Sequence, residues 1–179
     1  REWLTGRRQR VVLNGQRSDW REVHSGVPQG SVLGPLLFLI FINDIDWAAE
    51  TTGAIMKKFA NDTKCYMVVE SEEDRRNFQL MLDNLAEWSS LWQMSFNTDK
   101  CHVLHAGKKN QEFSYDWGSG QLAQTLQEKD VGVLITKNLK SSLHCAKAAS
   151  KANQVLGQMS RAVSYRDKFT FLRLDKVYV

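Results

Sequence analysis

Proline is nearly missing from this sequence: Pro28 and Pro35 are the two among 179 residues, beside eleven glycines. That scarcity excludes a collagen-like chain and a Pro/Gly-rich disordered one. Cysteine is scarce as well. Cys65, Cys101 and Cys145 are widely spaced, odd in number and form no CxxC pair. A disulfide framework or zinc ribbon is therefore not expected, and a reducing intracellular compartment, nucleus or cytoplasm, is. Long apolar runs are lacking too. The longest, Leu33 to Ile42, contains Gly34 and Pro35 and falls well short of the ~20 residues of a membrane span, so no membrane partner is expected. No N-terminal signal pattern is present, and the chain enters patterned sequence directly at Arg1, as a fragment would.

Against these absences stand six Trp, eight Phe and four Tyr, with 42% apolar and 25% charged residues. This is enough bulk for one globular domain, or a domain with a small appendage. The net charge of +4 is unevenly spread. Residues 1–30 carry +3, residues 31–99 carry −6, residues 100–136 balance, and residues 137–179 carry +7. An acidic middle between basic ends suits a carboxylate-bearing metal site flanked by surfaces for a polyanion, though ordinary solvated helix faces give the same totals.

Arg10 to Leu13 favours a strand, Asn14-Gly15 a tight hairpin turn, and about Asp19 to Val23 a returning strand. The stretch from Ser25 to Ser31 suits no regular element. From Pro35 to about Ile45 the residues are apolar almost all round, which predicts a short helix buried on several faces, with Gly34 or Ser31 near its cap. Ala54 to Val69 reads as strand, turn and strand around Asn61-Asp62. Ser71 to Trp92 reads as a long amphipathic helix, opened by an approximate capping box between Ser71 and Asp74. Its apolar face carries Phe78, Met81, Leu82, Leu85, Trp88 and Trp92. Two short strands are expected at Gln93–Phe96 and Lys100–Leu104, weak strand content over residues 107–130, and a buried strand at Val131–Ile135. A second long helix with a basic outer face follows, marked by Leu143, Ala146, Ala149, Ala152, Leu156, Met159 and Val163, and a final one from about Asp167. The mixture is α+β or mixed α/β.

Three stretches could carry chemistry. In the first, Gly26 and Gly30 leave room for a backbone or flat ring, Gln29 offers a donor and an acceptor, and the following helix points N–H groups at any nearby phosphate. An ordinary loop–helix junction would look the same. In the second, Phe59-Ala60-Asn61-Asp62 stands at a hairpin tip, where side chains projecting together can hold Mg²⁺, although Asn-Asp is a good turn whatever its function. In the third, Asn97 and Lys100 follow the long helix, where a lysine can donate to a phosphate or simply be solvated. His102 and His105 fall on opposite faces of one strand, with Cys101 beside them, and do not converge on a metal.

Taken in order, these stretches resemble a known family. SGVPQGSVLGPLLFLIFINDI (Ser25 to Ile45), KFANDTK (Lys58 to Lys64) and WQMSFNTDKCHVLHAG (Trp92 to Gly107) are similar to the reverse transcriptase of non-LTR retrotransposons, in the jockey-like branch of long interspersed elements. WLTGRRQRVVLNG (Trp3 to Gly15), EKDVGVLITKNL (Glu128 to Leu139) and AKAASKANQVLG (Ala146 to Gly157) extend the likeness over nearly the whole chain. The resemblance implies an α+β partial polymerase palm over residues 1–136, an antiparallel sheet with packed helices, and a helical thumb-like segment over residues 137–179. It implies that Gly26, Pro28, Gln29 and Gly30 support the template base and nascent pair, with Phe59 beside them. Asn61 and Asp62 match the F/Y-A-D-D metal-binding turn, and Lys100 the lysine that assists pyrophosphate departure. Lys140, Lys147, Lys151 and Arg161 would grip an RNA or DNA template-primer through its phosphates.

Two departures qualify what is implied. Asn61 is a neutral amide where the family has an aspartate, which removes one full charge from a site that holds two divalent ions ~3.5–4 Å apart. The family's other catalytic aspartate, with the residue that discriminates deoxyribose and the fingers, lies upstream of the segment like Trp3 to Gly15. The isolated chain is therefore expected not to polymerise, Mg²⁺ being the cofactor of the intact family. The alternatives are a non-catalytic nucleic-acid-binding remnant, using the basic tail and the arginines near Arg7, Arg8 and Arg10, and a decayed retrotransposon product with exposed apolar surface. The oligomeric state is not fixed by the sequence.

Overall fold

In a computed structural model of the chain, residues 5–162, 168–169 and 172–173 are described. They fall into two compact units, Arg1–Met67 and Val68–Val179. The helix expected from about Asp167 lies for the most part outside the described residues, as does Val163 of the helix before it.

The first unit opens with a long hairpin built from two ladders. β1 (Arg8–Gln9) pairs with β4 (Arg21–Glu22), and β2 (Val12–Leu13) with β3 (Gln16–Arg17), all antiparallel. Asn14 and Gly15 make the tip with φ of 50° and 80°. Positive φ at both loop residues matches the twist of the strands, which is why Asn-Gly is favoured there. The Ser25–Ser31 segment is irregular, and α1 (Leu33–Phe41) follows. A 3-10 turn at Asn43–Ala49 leads to a second hairpin, β5 (Ile55–Phe59) with β6 (Asp62–Tyr66).

α1 is apolar but not buried on several faces, contrary to its pattern. Gly34 is its one buried residue, while Leu33, Leu36, Leu39 and Ile40 keep 50–66% of their surface exposed. The burial comes one turn later, at Ile42, Ile45, Ala48, Ala49 and Thr52. The apolar run is thus longer than the stretch that the 3-10 turn folds inward. The hairpin loop is also shifted by one residue: Ala60 and Asn61 form it, and Asp62 already pairs with Phe59 as the first residue of β6.

The second unit is organised by α2 (Glu72–Leu91). Its capping box is complete: Ser71 Oγ accepts from the Asp74 N–H, and the Asp74 carboxylate accepts from the Ser71 N–H. Met81, Leu82, Leu85 and Trp88 are buried on one face, as their spacing requires. Trp88 packs on Phe96, Phe96 edge-on to Trp117, and Phe78 edge-on to Tyr115. Gln79 grips the backbone of Asp116, accepting from its N–H and donating to its carbonyl, so the helix holds β8 (Asp116–Trp117), which turns into β9 (Gly120–Gln121).

Gln93–Phe96 is not a strand. Gln93 has φ 53°, and the Met94 N–H returns to the Ser89 carbonyl while Ser89 Oγ donates to the Met94 carbonyl. The segment is thereby folded back as the C-terminal cap of α2. Thr98–Lys100 is a 3-10 turn rather than the start of a strand. β7 (His102–Leu104) pairs in parallel with β10 (Ala123–Thr125). β11 (Gln127–Asp130) and β12 (Val133–Thr136) form a further tight hairpin, turning at Val131-Gly132. β12 is only half buried, apart from Thr136. Among the described residues the strands pair two by two, five pairings antiparallel and one parallel.

α3 (Ser142–Ala162) meets β12 at its start, where the Leu134 N–H donates to His144 Nδ1. Met159 is its buried residue, whereas Leu143 and Leu156 are 40% and 54% exposed. The apolar positions of α3 are aligned as their spacing predicts, but they stay largely uncovered.

Candidate functional site

The glycine-bearing bend is held by hydrogen bonds to its own backbone. Ser31 Oγ donates to the Pro28 carbonyl at 2.7 Å and accepts from the Gly34 N–H at 3.0 Å, so Ser31 caps α1 as expected. Gly34 is required for space: a Cβ there would lie 3.0 Å from Ser31 Oγ and 3.1 Å from the Pro28 carbonyl. Gly26 and Gly30 are required for conformation instead, with φ of 76° and 80° and nothing described within 4 Å of an added Cβ. Pro28 is half-buried and Gln29 exposed.

Arg7 braces this bend, and its spacing gave no hint of that. Its Nη2 donates to the Gly26 carbonyl at 2.8 Å, and the Val23 N–H donates to the Arg7 carbonyl, so the end of the first hairpin and the bend are fastened by one residue.

Along the second hairpin, exposure alternates. Met56, Lys58, Thr63 and Cys65 turn inward; Ile55, Lys57, Phe59, Asp62, Lys64 and Tyr66 face out. Cys65 is pushed up to about 12 by burial. Lys58 is the second brace that its motif did not reveal. Its Nζ donates to Asp46 Oδ2 at 2.9 Å and lies 3.3 Å and 3.4 Å from the Ile42 and Asn43 carbonyls. A cation is thus held at the C-terminal end of α1, where the helix dipole favours it. The hairpin is fastened to the helix that the glycine bend begins.

At the tip, Phe59, Asn61 and Asp62 are exposed, and Ala60 takes φ 52°. Asp62 shares its face with Lys57 and Lys64, which oppose each other across the ladder. One carboxylate and one amide, with two ammonium groups on the carboxylate's face, is a poor donor set for two hard divalent ions, which need anionic oxygen to offset their repulsion. Among the described residues no group of three or more His, Cys, Asp or Glu could hold a metal.

Lys100 ends the 3-10 turn in the second unit, exposed, its N–H donating to the Asn97 carbonyl. His105 is buried and stacked against Tyr115, while His102 Nδ1 lies 3.3 Å from Glu128 Oε1. Lys140, Lys147, Lys151 and Arg161 are all exposed, with no carboxylate within 4 Å among the described residues. At 3.6 residues per turn, Lys147, Lys151 and Arg161 fall within an arc of roughly 80°, opposite Leu156 and Met159.

A family model described as "Reverse transcriptase (RNA-dependent DNA polymerase)" matches residues 1–160. The chain is 27% identical over 183 residues to the RNA-directed DNA polymerase from mobile element jockey of Drosophila funebris, covering 97% of this chain and 20% of that one. Its counterpart in Drosophila melanogaster is 26% identical over 177 residues, covering 95% and 19%. The probable RNA-directed DNA polymerase from transposon BS of Drosophila melanogaster is 27% identical over 189 residues, covering 100% and 21%. The chain spans about a fifth of the length of these curated relatives. No solved structure matches it.

Proposed function

The chain belongs to the reverse transcriptase family, and on that premise we propose that it is the part of a retroelement polymerase that keeps a nucleic-acid grip but has a disabled metal turn. Residues 1–136 are assigned to a partial palm and residues 137–179 to a thumb-like segment. The ancestral activity is template-directed addition of deoxynucleotides to a primer, with Mg²⁺ as cofactor. Gly26, Pro28, Gln29, Gly30 and Phe59 are the residues assigned to the template and nucleotide, and Asn61, Asp62 and Lys100 those assigned to chemistry. The partner is an RNA or DNA template-primer, met inside the cell.

One observation carries the reading: the hairpin tip offers a single carboxylate, Asp62, on a face shared with two lysines, and the residue before it is the neutral Asn61. A turn so composed does not fit the pair of divalent ions that nucleotide addition needs. The exposed Lys140, Lys147, Lys151 and Arg161, free of carboxylates among the described residues, favour retained phosphate binding without catalysis.

A primer-extension assay tests this on three proteins: the chain, its Asn61→Asp variant, and that variant joined to the upstream palm and fingers of a relative. Only the third should extend a primer. Extension by the unaltered chain would overturn the assigned inactivity, and failure of the third would show that restoring the carboxylate does not restore the site.

A further inference from the structure

The first hairpin contains five arginines and no lysine between residues 7 and 23, against Asp19 and Glu22. Arg7 is spent on the glycine bend. The remaining four, Arg8, Arg10, Arg17 and Arg21, have no carboxylate within 4 Å among the described residues, and all are exposed. Leaving four guanidinium groups unpaired on one short element is electrostatically costly, and an external polyanion relieves that cost.

The register adds a second feature. Arg8 faces Glu22 in one ladder and Val12 faces Arg17 in the other, so the returning strand holds one extra residue between them. Such a bulge re-aims side chains. Trp20 lies in this stretch, and its ring has the Arg10 guanidinium 4.5 Å and the Arg8 guanidinium 5.7 Å from its centroid. Both are within cation–π range. Trp20 nevertheless keeps 49% of its surface exposed. By the pleat alternation Arg8, Arg10 and Arg17 share one face with Glu22, the indole lying by Arg8 and Arg10, while Arg21, opposite Gln9, is on the other face.

We propose that this arginine–tryptophan face binds a single-stranded segment of nucleic acid, the guanidinium groups meeting phosphates and Trp20 stacking on an unpaired base. Arginine's planar fork suits phosphate oxygens better than a lysine point charge. An exposed ring flanked by cations is the arrangement that strand-binding grooves use without sequence preference. The face is built from other residues than the assigned metal turn and α3. The proposal rests on the reading above for the partner's being a template or primer strand. Val11, Val12 and Leu13, exposed near the tip, make an anionic bilayer the rival occupant.

The test is fluorescence anisotropy of the full chain with a short labelled single-stranded RNA across a salt series. Arg17→Gln removes one charge from this face while keeping the backbone ladder and the Trp20 stack. The slope of log affinity against log salt should fall by roughly 0.7, the value for one phosphate contact. Trp20→Ala should weaken binding at least about fivefold, the low end for one base–aromatic stack, and Trp20→Phe should recover most of it. Circular dichroism confirms that each variant is folded. Unchanged binding by folded hairpin variants overturns the inference; if a Lys147, Lys151 and Arg161 triple alanine then loses binding, the phosphate grip of α3 stands alone. No RNA binding by the unaltered chain at low salt overturns both. Equal loss on a blunt duplex overturns the stacking role. Loss of binding to phosphatidylserine vesicles, with RNA binding intact, overturns it in favour of a membrane.

Discussion

Replacing Lys58 by methionine should loosen the metal-turn hairpin from α1 at a cost that can be divided. The ammonium group serves two partners: the Asp46 carboxylate at 2.9 Å, and the carbonyl end of α1 at 3.3–3.4 Å. Asp46 keeps 57% of its side chain in solvent, against 22% for Lys58. The ion pair alone is therefore worth little, about 0.5 kcal/mol after screening. The carbonyl contacts are long, so they count chiefly as a cation at a helix C-terminus, roughly 0.3–1 kcal/mol. Lys58→Met should destabilise the chain by about 0.8–1.5 kcal/mol, and Asp46→Asn by about 0.5 kcal/mol. Methionine fills much the same space, so packing loss stays small. Urea denaturation of both single variants and the double variant isolates the two contributions. Hydrogen exchange should show faster amide exchange in Ile55–Phe59 for Lys58→Met than for Asp46→Asn. Equal losses in the two single variants would mean that the carbonyl end contributes nothing and that Lys58 is an ordinary surface ion pair.

Ala60 sits at φ 52°, a conformation that costs an L-residue ~1–2 kcal/mol. Ala60→Gly should stabilise the hairpin by about 0.5–1 kcal/mol after the unfolded-state entropy of glycine is subtracted, read as a raised urea midpoint; a lowered one would refute the strain. The Asp74 carboxyl is held below its ordinary value by Ser71 Oγ and by the Glu70 and Ser71 N–H groups. The ionised form therefore stabilises the folded state. That contribution should be complete above the ordinary carboxylate pKa of about 4 and vanish as pH falls through the lower folded value, and Asp74→Asn should flatten this part of an acid-denaturation profile. Cys65, pushed up to about 12 by burial, should resist iodoacetamide at neutral pH while the exposed Cys145 is alkylated, as mass spectrometry of the folded and urea-unfolded chain would show.

Where local chemistry decided the structure, the residues announced it. Asn14-Gly15 turns as expected, Ser71 and Asp74 close their box, and the stripe from Met81 to Trp88 is buried because 3.6-residue spacing leaves it no other face. Where a neighbour decided, the pattern misled. Gln93–Phe96 alternates like a strand, yet Gln93 adopts the left-handed conformation and Ser89 draws Met94 back onto the helix. The run Leu33–Phe41 looked like a core helix because hydropathy records how apolar a face is, not what covers it. At the candidate site, the tip residues were legible from their order, but Arg7 and Lys58 were not. A brace is defined by the carbonyl it reaches, and carbonyls leave no mark in a sequence.

The parallel pairing of β7 with β10 bears on how the second unit is made. His102–Leu104 waits for Ala123–Thr125, and the β8–β9 turn lies between them, gripped by Gln79. Closing that intervening loop costs entropy before any ladder bond repays it. The helix spanning Glu72–Leu91 can form early from nearby residues, whereas this ladder must come late. On a ribosome the three residues after Cys101 would stay unpaired until more than twenty further ones had emerged, a period in which their open edge is free to pair wrongly.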